Sequence, residues 1–410
     1  MGKGLTTIII LILGISLIVL AYRGYKDQKE REAEYERESK AIEEEIAKDN
    51  VYSEEEILEK LENAMIANED DNVFMRVPTS IDQDTIKEIA QRIDPMLGRV
   101  TEYSYATQSQ QNIFDDDHVS SEKTDEFAGV SYKYIKYDDY YVYEAIVQGK
   151  EIPSDRTKAI KLKEVCQKFI DENITSTMSD YEKELAIHDY IINNCKYTTT
   201  FTTEKNEFEA YGVLVDHLAV CEGYAKATSL LLRCCNIESI LVSGDADIDD
   251  ANSIFDTVDG AIMTPDGQII SGHMWNQVKI DGLWYNLDTT WDDPVAEEDV
   301  LLHTYFNVDD TILRNNHEWD SKETNQCSST LANYYEKNGL YFKTDSDFKE
   351  YIKNYLSQGS REKIECAVTN ADLSEDGMYF LFDYDGINNY MIYHKDIPNY
   401  QIIELEFNIN

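Results

Sequence analysis

Ala219-Val220-Cys221-Glu222-Gly223-Tyr224-Ala225-Lys226-Ala227-Thr228-Ser229-Leu230-Leu231-Leu232 is the stretch on which the fold turns. No proline interrupts residues 222–235, and they are rich in Ala, Leu and Lys, so a buried helix is expected to begin at or just after Cys221. A thiol there faces backbone N–H groups that lack intrahelical acceptors and the positive end of the helix dipole, which favours thiolate. Gly223, in the first turn, lets another backbone or a substrate approach closely.

Two later stretches belong with it: Gly272-His273-Met274-Trp275-Asn276-Gln277-Val278 and Tyr285-Asn286-Leu287-Asp288-Thr289-Thr290-Trp291. Residues 273–280 and 283–290 are strand-like, and Asp281-Gly282 between them signals a two-residue hairpin turn. That turn pairs Ile280 with Leu283, Trp275 with Asp288 and His273 with Thr290. One face then carries Met274, Asn276, Val278, Ile280, Leu283, Tyr285 and Leu287; the other carries His273, Trp275, Gln277, Lys279, Trp284, Asn286, Asp288 and Thr290. His273 and Asp288 share the polar face as diagonal neighbours, about 7–8 Å apart at the backbone and within side-chain reach. Cys221, His273 and Asp288 thus arrive as thiol nucleophile, base and orienting acid.

Val220-Cys221-Glu222-Gly223-Tyr224-Ala225, Gly272-His273-Met274-Trp275-Asn276 and Asn286-Leu287-Asp288-Thr289-Thr290-Trp291-Asp292 resemble the three motifs of bacterial transglutaminase-like proteins, a branch of the papain-like cysteine fold. The resemblance covers roughly residues 155 to 320. It implies Cys221 as nucleophile, His273 as base, Asp288 as orienting acid, and acyl transfer from amides to amines or to water. One departure stands out. Such enzymes hold the oxyanion with a tryptophan ahead of the cysteine, whereas the tryptophans here (275, 284, 291, 319) all follow it. The oxyanion donors expected instead are the Cys221 N–H and a tyrosine, Tyr211 or Tyr197.

The chain has 410 residues with 80 Asp+Glu against 37 Lys+Arg, a formal net charge of −43, which argues against nucleic acid as a partner. Leu5 to Tyr22 is an apolar run without charge, behind Lys3 and ahead of Arg23 and Lys26, and reads as a single-pass signal anchor; cleavage after Ala21 is the alternative. Lys and Arg are more numerous after the run, which favours a cytoplasmic body. A hydrophobic segment behind a short basic start favours export, and the extracytoplasmic side is the expectation. The seven cysteines show no metal spacing, and the six besides Cys221 read as structural thiols.

The expected architecture is α+β: a signal anchor or transmembrane helix (1–25), a charged helical stalk (26–70), a small α+β domain (71–152), a transglutaminase-like core (155–325) and a C-terminal α+β accessory domain (333–410). Ser53 with Glu56 forms a capping box for a helix to about Asn68, and Ser80 with Gln83 caps another to about Ile93. Strands are expected near 73–77, 100–105, 130–137 and 140–147. Helices are expected over 157–174 and 179–195, the second boxed by Ser179 and Glu182. In the C-terminal part, strands are expected at 340–342, 364–368, 378–382, 390–393 and 402–407, with a helix over 345–356. His188 lies on an apolar stripe and reads as a buried, hydrogen-bonded histidine, while His217 is the nearest rival base. His303 and His317 read as structural. The acidic segments 115–118 and 245–259 read as solvated loops, with calcium at the latter as the minor reading.

Two functions compete. One is a membrane-tethered cysteine enzyme acting on amide bonds, without cofactor, on peptide or protein substrates such as cell-wall peptides or surface proteins. The other is a non-catalytic scaffold or interaction module at the cell envelope. A zinc site made of Cys221, His273 and Asp288 is a third reading. All three residue types stand in place with matching hairpin parity, which favours the enzyme.

Overall fold

The computed structural model describes residues 28, 29, 37, 53–67, 71–107, 127–198, 205–247, 262–263, 269–294, 301–322, 324–360, 362–384, 387–398 and 400–409. The apolar run Leu5 to Tyr22, most of the charged stretch after it and the acidic segment 115–118 lie outside them. Among the described residues, no helix is long and apolar enough to cross a membrane.

The chain divides into two compact units, Met1–Tyr137 and Asp138–Asn410. In the first, α1 (Glu54–Ala67) is started by the expected box, Ser53 N–H to Glu56 at 3.0 Å and Glu56 N–H to Ser53 Oγ at 3.4 Å. It buries Ile57, Leu61 and Met65, an i, i+4, i+8 stripe. Strand β1 (Asn72–Pro78), α2 (Gln83–Gln91), β2 (Gly98–Thr107) and β3 (Phe127–Lys136) follow, and the antiparallel sheet runs β1-β3-β2. The cap of α2 is Asp82, whose carboxylate accepts from Thr85 N–H at 2.8 Å, in place of the expected Ser80.

The second unit opens with a departure. Residues 140–147, expected as a strand, lie within helix α3 (Asp138–Val147). Asp138 and Asp139 occupy its first turn, where negative charge complements the helix dipole, and Tyr140, Tyr141 and Val142 are buried as it packs on α4 (Thr157–Asn173). Tertiary packing here overrides the strand preference of a Tyr- and Val-rich run. Helix α5 (Asp180–Asn194) carries the full capping box of Ser179 and Glu182. The short strands β4 (Lys196–Tyr197) and β5 (Leu218–Ala219) pair in parallel and deliver the chain to α6 (Cys221–Cys234).

Helix α6 is the centre of the unit. Gly223 to Leu232 are all buried, with β8 on one side and α3 and α5 on the other. A Cβ on Gly223 would meet the Glu207 carbonyl oxygen at 2.5 Å, so the glycine admits a neighbouring backbone rather than a substrate. Strands β6 (Ser239–Asp247), β7 (Ile262–Met263), β8 (Ile269–Ile280), β9 (Leu283–Leu287) and, after the short helix α7 (Asp310–Leu313), β10 (His317–Glu318) form one antiparallel sheet, β10-β6-β8, with β7 and β9 both on β8. The hairpin register is the expected one, Ile280 with Leu283 through Asn276 with Leu287. Positive φ at Asp281 (51°) and Gly282 (83°) marks the mirror-image turn that such hairpins require. Asp245 and Asp247, expected in a loop, lie on β6, while residues 248–261 fall outside the described set.

Both faces of that sheet are covered. Asn276, Val278, Ile280, Tyr285 and Leu287 are buried on one face, where Asn276 Nδ2 donates to the Ala225 carbonyl of α6 at 3.0 Å; Leu283, at the tip, stays exposed. The face with the polar residues is also buried at Trp275, Gln277 and Asn286. What covers Trp275 is the C-terminal part of the same unit. There α8 (Tyr334–Lys337), β11 (Tyr341–Phe342), α9 (Asp345–Ser357), β12 (Ile364–Val368), α10 (Glu375–Met378), β13 (Ile387–Ile397) and β14 (Tyr400–Ile409) build a sheet ordered β11-β12-β14-β13. Ala367, Ile397 and Ile402 on one face of it join Val242, Trp275, Tyr305 and Val308 in a shared cluster, while Ile403 and Leu405 on the other pack on Phe348 and Ile352 of α9. The strand expected at 378–382 is instead the end of α10 and a 3-10 turn, because Ser374 caps a short helix by accepting from Gly377 N–H.

Candidate active site

Three elements converge. Cys221 is the first residue of α6, half-buried, and Val220 before it makes no side-chain cap, so the first-turn N–H groups are not taken up by a capping side chain. His273 lies on β8 at 8% exposure, and Asp288 follows directly after β9 at 1%. His273 Nε2 and Asp288 Oδ2 are 2.7 Å apart, and the Cys221 side chain lies within electrostatic reach of the same imidazole. With Nε2 committed to Asp288, Nδ1 is the ring nitrogen left for sulfur. The His273–Asp288 pair is hydrogen-bonded, with Cys221 in its electrostatic neighbourhood.

Burial disfavours charge on His273, but the Asp288 carboxylate beside it, with the hydrogen bond to Asp288 and the influence of Cys221, outweighs burial and raises its pKa to about 10. Asp288 is held well below the usual carboxylate range: burial pushes it up, and His273 and His317 more than reverse that. A buried imidazolium–carboxylate pair results.

Asp288 has more partners than sequence reading assigned. Its Oδ1 accepts from the N–H of Thr290 at 3.0 Å and of Trp291 at 3.2 Å, and its Oδ2 is shared between His273 and His317 Nε2 at 3.1 Å. His317, read as structural, lies on β10, which β6 holds next to β8 through Gly244 opposite His273 and Ala246 opposite His317. Aromatic rings wall the two imidazoles: Trp275 is stacked 5.9 Å from His273, and Trp291 lies 5.8 Å from His273 and 4.5 Å from His317. The signal available in sequence was the His317-Glu318-Trp319 stretch, whose place beside the hairpin depends on a two-residue strand.

Of the tyrosines expected to hold an oxyanion, Tyr197 lies within the electrostatic reach of Cys221 and Asp288, whose negative charges add to burial in raising its pKa. Tyr211 has the Lys158 ammonium 5.6 Å from its ring centre. His188 is fully buried and bonded to Asp189 and Asp292, as expected for a structural histidine. His217, the rival base, is exposed, with Nδ1 2.8 Å from the Asn194 carbonyl oxygen. The seven cysteines are all unpaired thiols, and only Cys221 is less than fully buried.

His273, Asp288 and His317 also offer ligand atoms within 4.8 Å of one another, as do His188, Asp189 and His303. In both groups the histidine nitrogens already hydrogen-bond carboxylate oxygens. The donor sets therefore suit shared protons better than a cation.

Residues 167–289 match the transglutaminase-like superfamily, and they contain all three residues of the constellation. Among solved structures, a protein from Cytophaga hutchinsonii whose name assigns it provisionally to the cysteine proteases shares 14% identity, with 50% of this chain and 69% of that one covered and a TM-score of 0.24. A structure named as a TGase shares 15% identity over 58% of this chain and 60% of its own, with a TM-score of 0.25. The periplasmic domain of TgpA from Pseudomonas aeruginosa shares 15% over 48% of this chain and 65% of its own, with a TM-score of 0.21. Overlaps this partial fix neither reaction nor substrate. No curated protein sequence matches the chain.

Proposed function

We propose that this chain, whose residues 167–289 are a transglutaminase-like domain, is a cysteine-dependent acyl-transfer enzyme acting on amide bonds and tethered by the apolar run Leu5 to Tyr22 on the extracytoplasmic side of a membrane. The observation that supports this reading is the buried His273–Asp288 hydrogen bond at 2.7 Å, with Cys221 at the head of α6 within electrostatic reach of the same imidazole.

Cys221 as thiolate attacks the carbonyl carbon of a carboxamide or peptide, and the carbonyl π-electrons move onto oxygen. The Cys221 N–H at the head of α6 and the Tyr197 hydroxyl are the donors suited to that oxyanion. Collapse breaks the C–N bond as the His273 Nδ1 proton passes to the departing amine, leaving a thioester. Water or a second amine, deprotonated by the now neutral His273, attacks the thioester and expels the thiolate. Asp288 keeps the imidazole in one orientation and offsets its charge throughout. Cell-wall peptides and surface proteins are the substrates that suit an envelope location. The acidic surface implied by the net charge of −43 favours cationic acyl acceptors.

Iodoacetamide alkylation of the full chain across pH, read by mass spectrometry, tests the reading. Cys221 should be alkylated first, with a rate that persists at pH 6 and collapses in His273→Ala. Equal, slow labelling of all seven thiols, unaffected by His273→Ala, would instead mark a scaffold.

A further inference from the structure

Asp288 is gripped by four donors, and one of them is the side chain of a residue outside the Cys-His-Asp line. Its Oδ1 is fixed by two backbone N–H groups, while Oδ2, the oxygen that holds His273, also faces His317 Nε2. We propose that His317 is a positioning residue: a neutral imidazole whose Nε2–H pins Asp288 Oδ2 in the line that aims His273 at Cys221. This rests on the cysteine-enzyme reading above.

The tautomer follows from what surrounds the other nitrogen. His317 Nδ1 lies 2.8 Å from Asn316 Oδ1, and Asn316 Nδ2 donates to the Tyr305 hydroxyl at 2.7 Å. Oxygen and nitrogen of an amide exchange by a half-turn, so Asn316 can present either end to the ring. With oxygen towards Nδ1, both ring nitrogens would face acceptors and the ring would need a second proton. That positive charge would sit beside the His273 imidazolium, 5.3 Å away between ring centres, and within reach of the Lys395 ammonium, which lies over the neighbouring Tyr305 ring. With nitrogen towards Nδ1, the amide donates to the ring and accepts from Tyr305, and the single ring proton stays on Nε2, pointing at Asp288. Burial, reinforced by the fields of His273 and Lys395 and only partly offset by Asp288, holds the His317 pKa below its ordinary value, as a neutral ring requires.

Without this donor Asp288 could turn its Oδ2 away from the ring while keeping its two backbone bonds. His273 would then lose its orientation relative to sulfur. Partners of this kind, one step removed from the reacting groups, are worth roughly 10- to 100-fold where they have been measured in metal sites, and the same logic of orientation applies here.

The test is the pH profile of Cys221 alkylation by iodoacetamide in the full chain, for the wild type, His317→Phe and His317→Gln, with thermal melting recorded alongside. Phe keeps a ring against Trp275 and Trp291 but removes the donor, and Gln restores a donor. The expected result is a Phe variant whose alkylation rate at pH 6 falls about tenfold with the acidic limb moved towards higher pH, and a Gln variant within a few-fold of wild type. A Phe variant with the wild-type profile overturns the proposal. So does an equal loss in Phe and Gln that tracks a lowered melting temperature, which would make His317 packing alone. If wild-type Cys221 reacts no faster than the buried thiols and ignores His273→Ala, the enzyme reading fails and this inference with it. A wild-type Cys221 that depends on His273 but not on His317 sinks this inference alone.

Discussion

Glu365 grips His303 twice, its Oε2 accepting from the ring Nδ1–H at 2.7 Å and its Oε1 from the backbone N–H at 2.9 Å. Glu365 lies on β12 of the C-terminal sheet, and His303 lies in the segment that follows the hairpin. The other ring nitrogen reaches Asp189 of α5 at 3.1 Å, and Tyr334 stacks on the imidazole at 3.7 Å with a 4° interplanar angle. One imidazolium thus ties three parts of the second unit together.

This knot makes stability pH-dependent. Burial opposes charge on His303, but the bonds to Asp189 and Glu365 outweigh it and raise its pKa to about 9. A raised folded pKa contributes stability that is full below the unfolded histidine value, about 6.5, and is lost as pH rises through about 9. Unfolding free energy should therefore fall between pH 7 and 9, each such group adding about 1.4 kcal/mol per pH unit. Urea titrations of His303→Gln should show lower stability at pH 7 and a slope smaller by about one proton. An unchanged slope would remove His303 from the account.

Asp288→Asn is expected to leave the chain folded while suppressing the chemistry. Its oxygen can keep the Thr290 and Trp291 N–H groups, but its NH2 would face both imidazoles, forcing the His273 proton onto the nitrogen that faces sulfur. Comparable changes in serine proteases cost roughly 10⁴-fold in turnover, so alkylation of Cys221 at pH 6 should fall sharply with an unchanged circular dichroism spectrum. Asp288→Ala is a poorer test, because it strips the acceptor from four donors at once and should cost roughly 3–5 kcal/mol of stability.

Gly244→Ala should disturb the site from a distance. A Cβ there would meet the Glu318 carbonyl oxygen at 2.2 Å and Trp275 Cη2 at 2.8 Å, so β10 must move and take His317 with it. Overpacking of this kind costs about 1–3 kcal/mol, and slower Cys221 alkylation should accompany the lower melting temperature. Gly272→Ala, with nothing within 4 Å of the added carbon, is the matched control and should change neither.

Gly282→Ala isolates the hairpin turn. The added methyl meets nothing within 4 Å, yet φ is +83°, so the cost is backbone strain alone, roughly 1–2 kcal/mol. The urea midpoint should drop without a change in slope. A neutral result would mean that the pairing of β8 with β9 does not depend on this turn.

The helix start at Cys221, the two-residue turn at Asp281-Gly282 and the closeness of His273 to Asp288 were legible because they need only local rules and parity along the two strands. Parity stopped being the operative rule at Leu287, where β9 ends, and Asp288 reaches His273 from a turn rather than from a paired position. His317 was not legible as a partner of Asp288. Its strand is two residues long and reaches the site only through β6, which no periodicity encodes. The helix over 138–147 was missed because its run of Tyr and Val has the composition of a strand, while its packing comes from α4 and α6. Nothing in the hairpin's own pattern showed that Ala367, Ile397 and Ile402 would share a core with Trp275, because these residues lie more than ninety positions further along the chain.

That shared core bears on how the protein could be dissected. Cutting the chain near Thr330 to obtain a minimal catalytic fragment would unroof Trp275, Tyr305 and Val308 and cut away the carboxylate that His303 grips. Such a truncation should come out of expression insoluble or partly melted, so the stretch that carries Cys221 is not separable from its C-terminal sheet.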